Sequence, residues 1–178
     1  MGIAGLPRTA LWPMPRRMTD AALADSFRQA MRRVASTVNV ISICVDGEAM
    51  GITATAVSPI SMDPPSLLVC INRAASVHPS MADMSHFGVN VLHRDQAEVA
   101  RIFADRAHLE RRFAQGWETG LEHPPRLIDA QAWILCRRID HHQFGTHSIF
   151  IGLVEDVATR EGIDPLLYLD GKFGGAIK

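Results

Sequence analysis

Cysteine is scarce in this chain of 178 residues: Cys44, Cys70 and Cys136 are odd in number, far apart and without a CxxC pair. That argues against a disulfide framework and a zinc knuckle, and it fits a reducing compartment. Net charge is nearly absent, with 18 Lys plus Arg against 19 Asp plus Glu. No global basic field therefore draws the protein to nucleic acid or to an anionic lipid surface. Long apolar runs are missing too; stretches such as residues 148–154 fall far short of the roughly 20 residues that a membrane-spanning helix needs. The expectation is a cytoplasmic protein with neither nucleic acid nor membrane as a partner.

Hydrophobic residues make up 47% and charged residues 21% of the chain, which places it in the globular range. The length suits one domain. Residues 1–18 carry Pro7, Pro13, Pro15 and the pair Arg16-Arg17, but no apolar run follows the arginines, so neither a Sec nor a twin-arginine signal is complete. They are expected to form a flexible tail ahead of a folded domain over 19–178.

Thr19 or Asp20 can cap a helix whose apolar positions Leu23, Phe27, Ala30, Met31 and Val34 recur at three- and four-residue spacing. The pattern then changes. A β-branched run from Thr37 to Val45, the turn pair Asp46-Gly47 and a second run over 50–57 predict a hairpin. Asp63-Pro64-Pro65 predicts a loop and 66–71 a buried strand. Further on, 77–84 reads as a short helix, 87–92 as a strand, and Asp95 with Glu98 as a capping box for a helix through Phe103. Residues 104–126 read as a helix remnant and a surface loop, and 127–139, 148–158 and 166–169 as three more strands. About seven strands without regular strand–helix alternation predict a mainly β fold, a closed antiparallel barrel with a few peripheral helices. The strands are apolar on both faces, so helices or a second subunit should cover the outside, and a homodimer is the economical expectation.

Several chemistries lack their motif. The one dense glycine cluster, residues 171–175, has no helix after it, so a Rossmann dinucleotide site is excluded, and neither a P-loop nor a G-x-S-x-G elbow occurs. His141, His142 and His147 lie close together but match no metal-ligand spacing, and neighbours on a strand point to opposite faces. The informative stretch is GITATAVSPISMDPPSLLVCINR, residues 51–73. Its small and hydroxylated residues would let a flat ligand approach the backbone, with hydroxyls and peptide N–H groups to bind ring carbonyls and phosphate oxygens. A threonine-rich strand selected for β-propensity is the plainer alternative.

That stretch, together with FRQAM (27–31), FGVNVL (87–92), GTHSIFIG (145–152) and PLLY (165–168), resembles the flavin reductase family, the small reductase components of two-component flavin monooxygenases. The resemblance covers about residues 25–173. It implies an FMN-binding split β-barrel of Greek-key type, a homodimer, and transfer of hydride from NADH or NADPH to FMN or FAD, with the reduced flavin passing to a partner oxygenase. By position it implies a flavin cradle at Thr53, Ala54, Thr55 and Ser58, further ring and phosphate contacts at Cys70, Asn72, Arg73 and Ser76, and a contact from Tyr168. His147 matches the histidine of the family's Gly-Asp-His motif and is the candidate catalytic residue; here Thr146 stands in place of the acid. Phe103 and Phe113 are weighed beside Tyr168 as walls for a ring, with core packing as the alternative. A flavin- or haem-binding barrel without turnover is the rival reading.

Overall fold

The computed structural model describes residues 19–120 and 123–175. The tail expected over 1–18 lies outside the described residues. In chain order the elements are helix α1 (Asp20–Met31), strands β1 (Ser36–Thr37), β2 (Asn39–Val45), β3 (Glu48–Ala54), β4 (Val57–Met62) and β5 (Pro65–Asn72), helix α2 (His78–Asp83), strand β6 (His86–Val91) and helix α3 (Ala97–Ala104). Strands β7 (Trp117–Glu118), β8 (Arg126–Leu127), β9 (Ala132–Phe144), β10 (His147–Thr159), β11 (Leu167–Leu169) and β12 (Lys172–Gly174) follow.

Seven strands form one antiparallel sheet in the order β3-β2-β6-β9-β10-β5-β4. Its two edge strands, β3 and β4, are consecutive in the chain and separated only by Thr55 and Ala56. The edges must therefore meet at that point, and the sheet curls into a barrel with a seam there. The Cys70 N–H donates to the Ala56 carbonyl at 2.9 Å, which extends the β4–β5 ladder up to the seam. The fold is the expected mainly β split barrel. One detail differs from the sequence expectation: the second arm of the first hairpin does not run unbroken over 50–57 but changes sheet edge at 55–56.

Asp46 and Gly47 both take positive φ, 49° and 84°, as a two-residue hairpin turn demands. The β9–β10 turn is tighter than expected, only Gly145 and Thr146, because β9 continues through the histidines to Phe144. The approach to α3 also differs. His93, not Asp95, begins the box: its N–H donates to Gln96 Oε1 at 2.9 Å, and a single turn at Arg94–Gln96 precedes the helix.

Two cores explain the doubly apolar strands. Inside the barrel lie Ile41, Ile43, Leu67, Val69, Ile71, Phe87, Val89, Cys136 and Phe150, with Val77 just before α2 and Met81 on it in the same cluster. Outside β2, Val38 and Val40 pack with Ala100 and Phe103 of α3, Leu127 and Leu166. A helix thus covers the outer face, as expected. In contrast α1 buries nothing: Thr19 caps it through a 3.3 Å bond from the Ala22 N–H, yet Leu23, Phe27 and Met31 are exposed.

Candidate functional site

The seam at Thr55 and Ala56 gathers most of the residues singled out in the sequence. On β5 the side chains of Leu67, Val69 and Ile71 point into the barrel, so the alternation of a strand leaves Cys70 and Asn72 on the outer face. Register then sets Cys70 opposite Ile149 and Asn72 opposite His147 on β10. The β5 end is tied to the β9–β10 turn, since the Arg73 N–H donates to the Thr146 carbonyl at 2.9 Å. Asn72 Oδ1 accepts the Ala74 N–H at 2.9 Å, and the Arg106 guanidinium donates to the Ala74 carbonyl. Thr55, Cys70, Asn72, Arg73 and His147 are therefore brought to one rim, with the exposed Ser76 just beyond on the same turn.

His147 is exposed, and its Nδ1 lies 2.9 Å from Thr146 Oγ1. A hydroxyl thus takes the orienting role open to an acid at that position, without bringing a charge. Burial pushes the Cys70 thiol pKa up, so it offers a neutral S–H and not a thiolate nucleophile.

On the other side of the seam, Thr53, Thr55 and Tyr168 line one cavity of about 410 Å³ together with Val38, Arg101 and Phe173. The Tyr168 ring packs against Phe173 at 5.5 Å, and the Arg101 guanidinium lies 5.5 Å over the Phe173 ring. Thr55 and Tyr168 also line an adjoining cavity of about 370 Å³ with Arg28, Arg32 and Ser36. Arg101 and Phe173 were missed in the sequence; Phe173 falls in the glycine cluster considered only as a Rossmann candidate.

Three sequence candidates sit differently. The Thr53 hydroxyl is already engaged, donating to the Ala100 carbonyl of α3 at 2.7 Å. Ser58 is exposed on β4 opposite Leu68, where its hydroxyl donates to the Pro59 carbonyl at 3.3 Å. Ala54 is half-buried at the end of β3, opposite Asn39. Phe103 and Phe113 are not ring walls. They pack edge to face at 4.9 Å and both contact Trp117, in the core outside β2.

Among the described residues no group of three or more His, Cys, Asp or Glu side chains could hold a metal ion, and no helix is long and apolar enough to cross a membrane. What the rim provides is small side chains at 54–56 with hydroxyl, amide and guanidinium groups, and Thr55 alone connects it to the two cavities across the seam, which are in the size range of small-molecule sites. Such a set fits a flat heteroaromatic ring carrying a phosphate.

The flavin reductase like domain model matches residues 31–176. The reductase component of an FADH2-dependent resorcinol hydroxylase from Rhizobium sp. (strain MTP-10005) is 38% identical over 162 residues, 89% of this chain and 90% of that protein. An FMN reductase (NADH) of Methylorubrum extorquens is 38% identical over 151 residues, 84% of this chain and 75% of that one. The styrene monooxygenase flavin reductase of Pseudomonas putida S12 superposes with a TM-score of 0.77 at 28% identity, covering 86% of this chain and 98% of its own.

Proposed function

Because the chain belongs to the flavin reductase like family, we propose that it is an NAD(P)H:flavin oxidoreductase that reduces FMN or FAD and supplies the reduced flavin to an oxygenase partner. The observation that carries this reading is the convergence of Thr55, Cys70, Asn72, Arg73 and His147 on one rim at the barrel seam. Relatives whose names specify FMN reduction by NADH or the reductase part of a hydroxylase support it.

Bound flavin supplies a two-electron acceptor for hydride from the nicotinamide. The chain's own residues bind and orient. Thr55 and Ala56 keep the approach to the backbone open, and the peptide N–H groups near them would hold a bound flavin ring and favour negative charge on it. Arg73 and Ser76 hold the phosphate. Tyr168 borders the neighbouring cavity, and His147, oriented by Thr146, positions the nicotinamide against the ring. Hydride transfer needs no nucleophile, so proximity and orientation carry the rate. The protein acts as a homodimer in the cytoplasm, its folded domain spanning 19–178.

The test is anaerobic. The full chain is mixed with FMN or FAD and with NADH or NADPH, and nicotinamide oxidation is followed together with bleaching of the flavin band. Coupled, stoichiometric loss is the expected result and names both preferences. Flavin binding without nicotinamide oxidation would overturn the reductase reading in favour of a binding protein.

A further inference from the structure

The turn between β5 and α2 carries Asn72, Arg73 and Ser76, and its placement relative to His147 decides whether the rim exists at all. Beyond the β5–β10 ladder, which ends at the Asn72–His147 pair, two further links join it to the β9–β10 hairpin. One is the backbone bond from Arg73 to Thr146. The other is made by side chains alone: His78 Nε2 lies 2.8 Å from Ser148 Oγ. Ser148 is fully buried, pointing into the barrel directly beside His147. A hydroxyl in that interior needs a partner, and His78 provides one.

The His78 ring is itself held. It packs edge-on against Phe150 at 5.8 Å, and His141 stacks on Phe150 at 5.6 Å with an interplanar angle of 14°. The His78 backbone N–H donates to the Ala75 carbonyl at 3.0 Å, so the residue that carries the ring closes the turn that Asn72 begins.

We propose that His78, through its bond to Ser148, is a positioning residue that keeps the Asn72–Ser76 turn in register with His147. The inference rests on the flavin-site reading above. The charged or titratable groups that act on His78 are Arg73 on the turn and His141 on β9; β10 presents Ser148 and Phe150, which carry no charge. Burial, then Arg73 and His141, hold the His78 pKa below the ordinary imidazole range, so the ring is neutral near pH 7. Acidification places a second cation against Arg73 and displaces the turn.

The experiment measures flavin dissociation constants in the full-length protein without nicotinamide, across pH. His78→Leu and Ser148→Ala are each expected to weaken flavin binding about five-fold. The double variant His78→Leu/Ser148→Ala, which orphans neither partner and so keeps its fold, is expected to be as weak as either single one. His78→Gln, whose amide reaches the position of Nε2, is expected to restore affinity to within about two-fold and to abolish the loss of affinity below the imidazole range. Wild-type affinity in the double variant, or a His78→Gln protein as weak as His78→Leu, overturns the positioning role alone. A wild-type protein that neither binds nor reduces flavin overturns the function beneath it.

Discussion

Cys136 illustrates how strongly a single residue depends on its surroundings. It is fully buried within the barrel, where burial first and the charge of Glu155 second push its thiol pKa from an ordinary 9.0 up to about 12. A raised pKa in the native state means that the native chain holds the proton more tightly than the unfolded one. The associated stability is complete below pH 9 and is lost as pH rises toward 12. Cys136→Ala should therefore show a shallower loss of stability across that window in denaturant melts. At pH 8, peptide mapping after iodoacetamide treatment should find Cys136 unmodified in the native protein and modified after denaturation. Thr146 makes a complementary point: the family pattern made its exchange for the acid visible in the sequence, but only the 2.9 Å contact with His147 reveals that orientation survives the loss of charge.

At the scale of elements, the β9–β10 hairpin carries both core and rim. Gly152 on β10 has no room for a side chain: a Cβ there would lie 2.5 Å from the Phe87 ring and 2.7 Å from Cys136 Cβ. Gly152→Ala must displace β6 or β9 and should destabilise the protein by about 1–3 kcal/mol, read as a lower urea midpoint. Much of this level was legible. The Asp46-Gly47 hairpin, the Thr19 cap and the strand over 66–71 follow from turn chemistry and β-propensity, which are local properties. The break at Thr55–Ala56 was not legible, because a run of β-prone residues reads the same whether it stays in one edge or crosses to another. The cap at His93 was likewise hidden, since a histidine is an unusual choice where an acid two residues later fits the common pattern.

For the whole molecule, the exposed apolar face of α1 and of the turn after it at Val34 is the surface that calls for a cover. Leu23, Phe27, Met31 and Val34 are 56%, 65%, 47% and 50% exposed, a stripe of large apolar groups such as a second copy would cover. The helix is tethered at its C-terminal end, where Arg32 pairs with Asp170 at 2.8 Å and the Asp170 N–H donates to the Arg32 carbonyl at 3.1 Å. Sedimentation is expected to give a dimer, and the pair of changes Leu23→Glu and Phe27→Glu to shift it to monomer. A wild-type monomer would remove the homodimer from the proposal.

The sequence by itself determined the β-rich domain, its turns, its helix starts and its family, because each is written in neighbouring residues or in ordered motifs. Tertiary structure decided which side chains share the rim. Thr53 faces α3, His78 reaches a serine 70 residues away, and Arg101 meets Phe173 beside Tyr168. These meetings depend on strand register and on where the barrel closes, and neither is a property of any one stretch of chain.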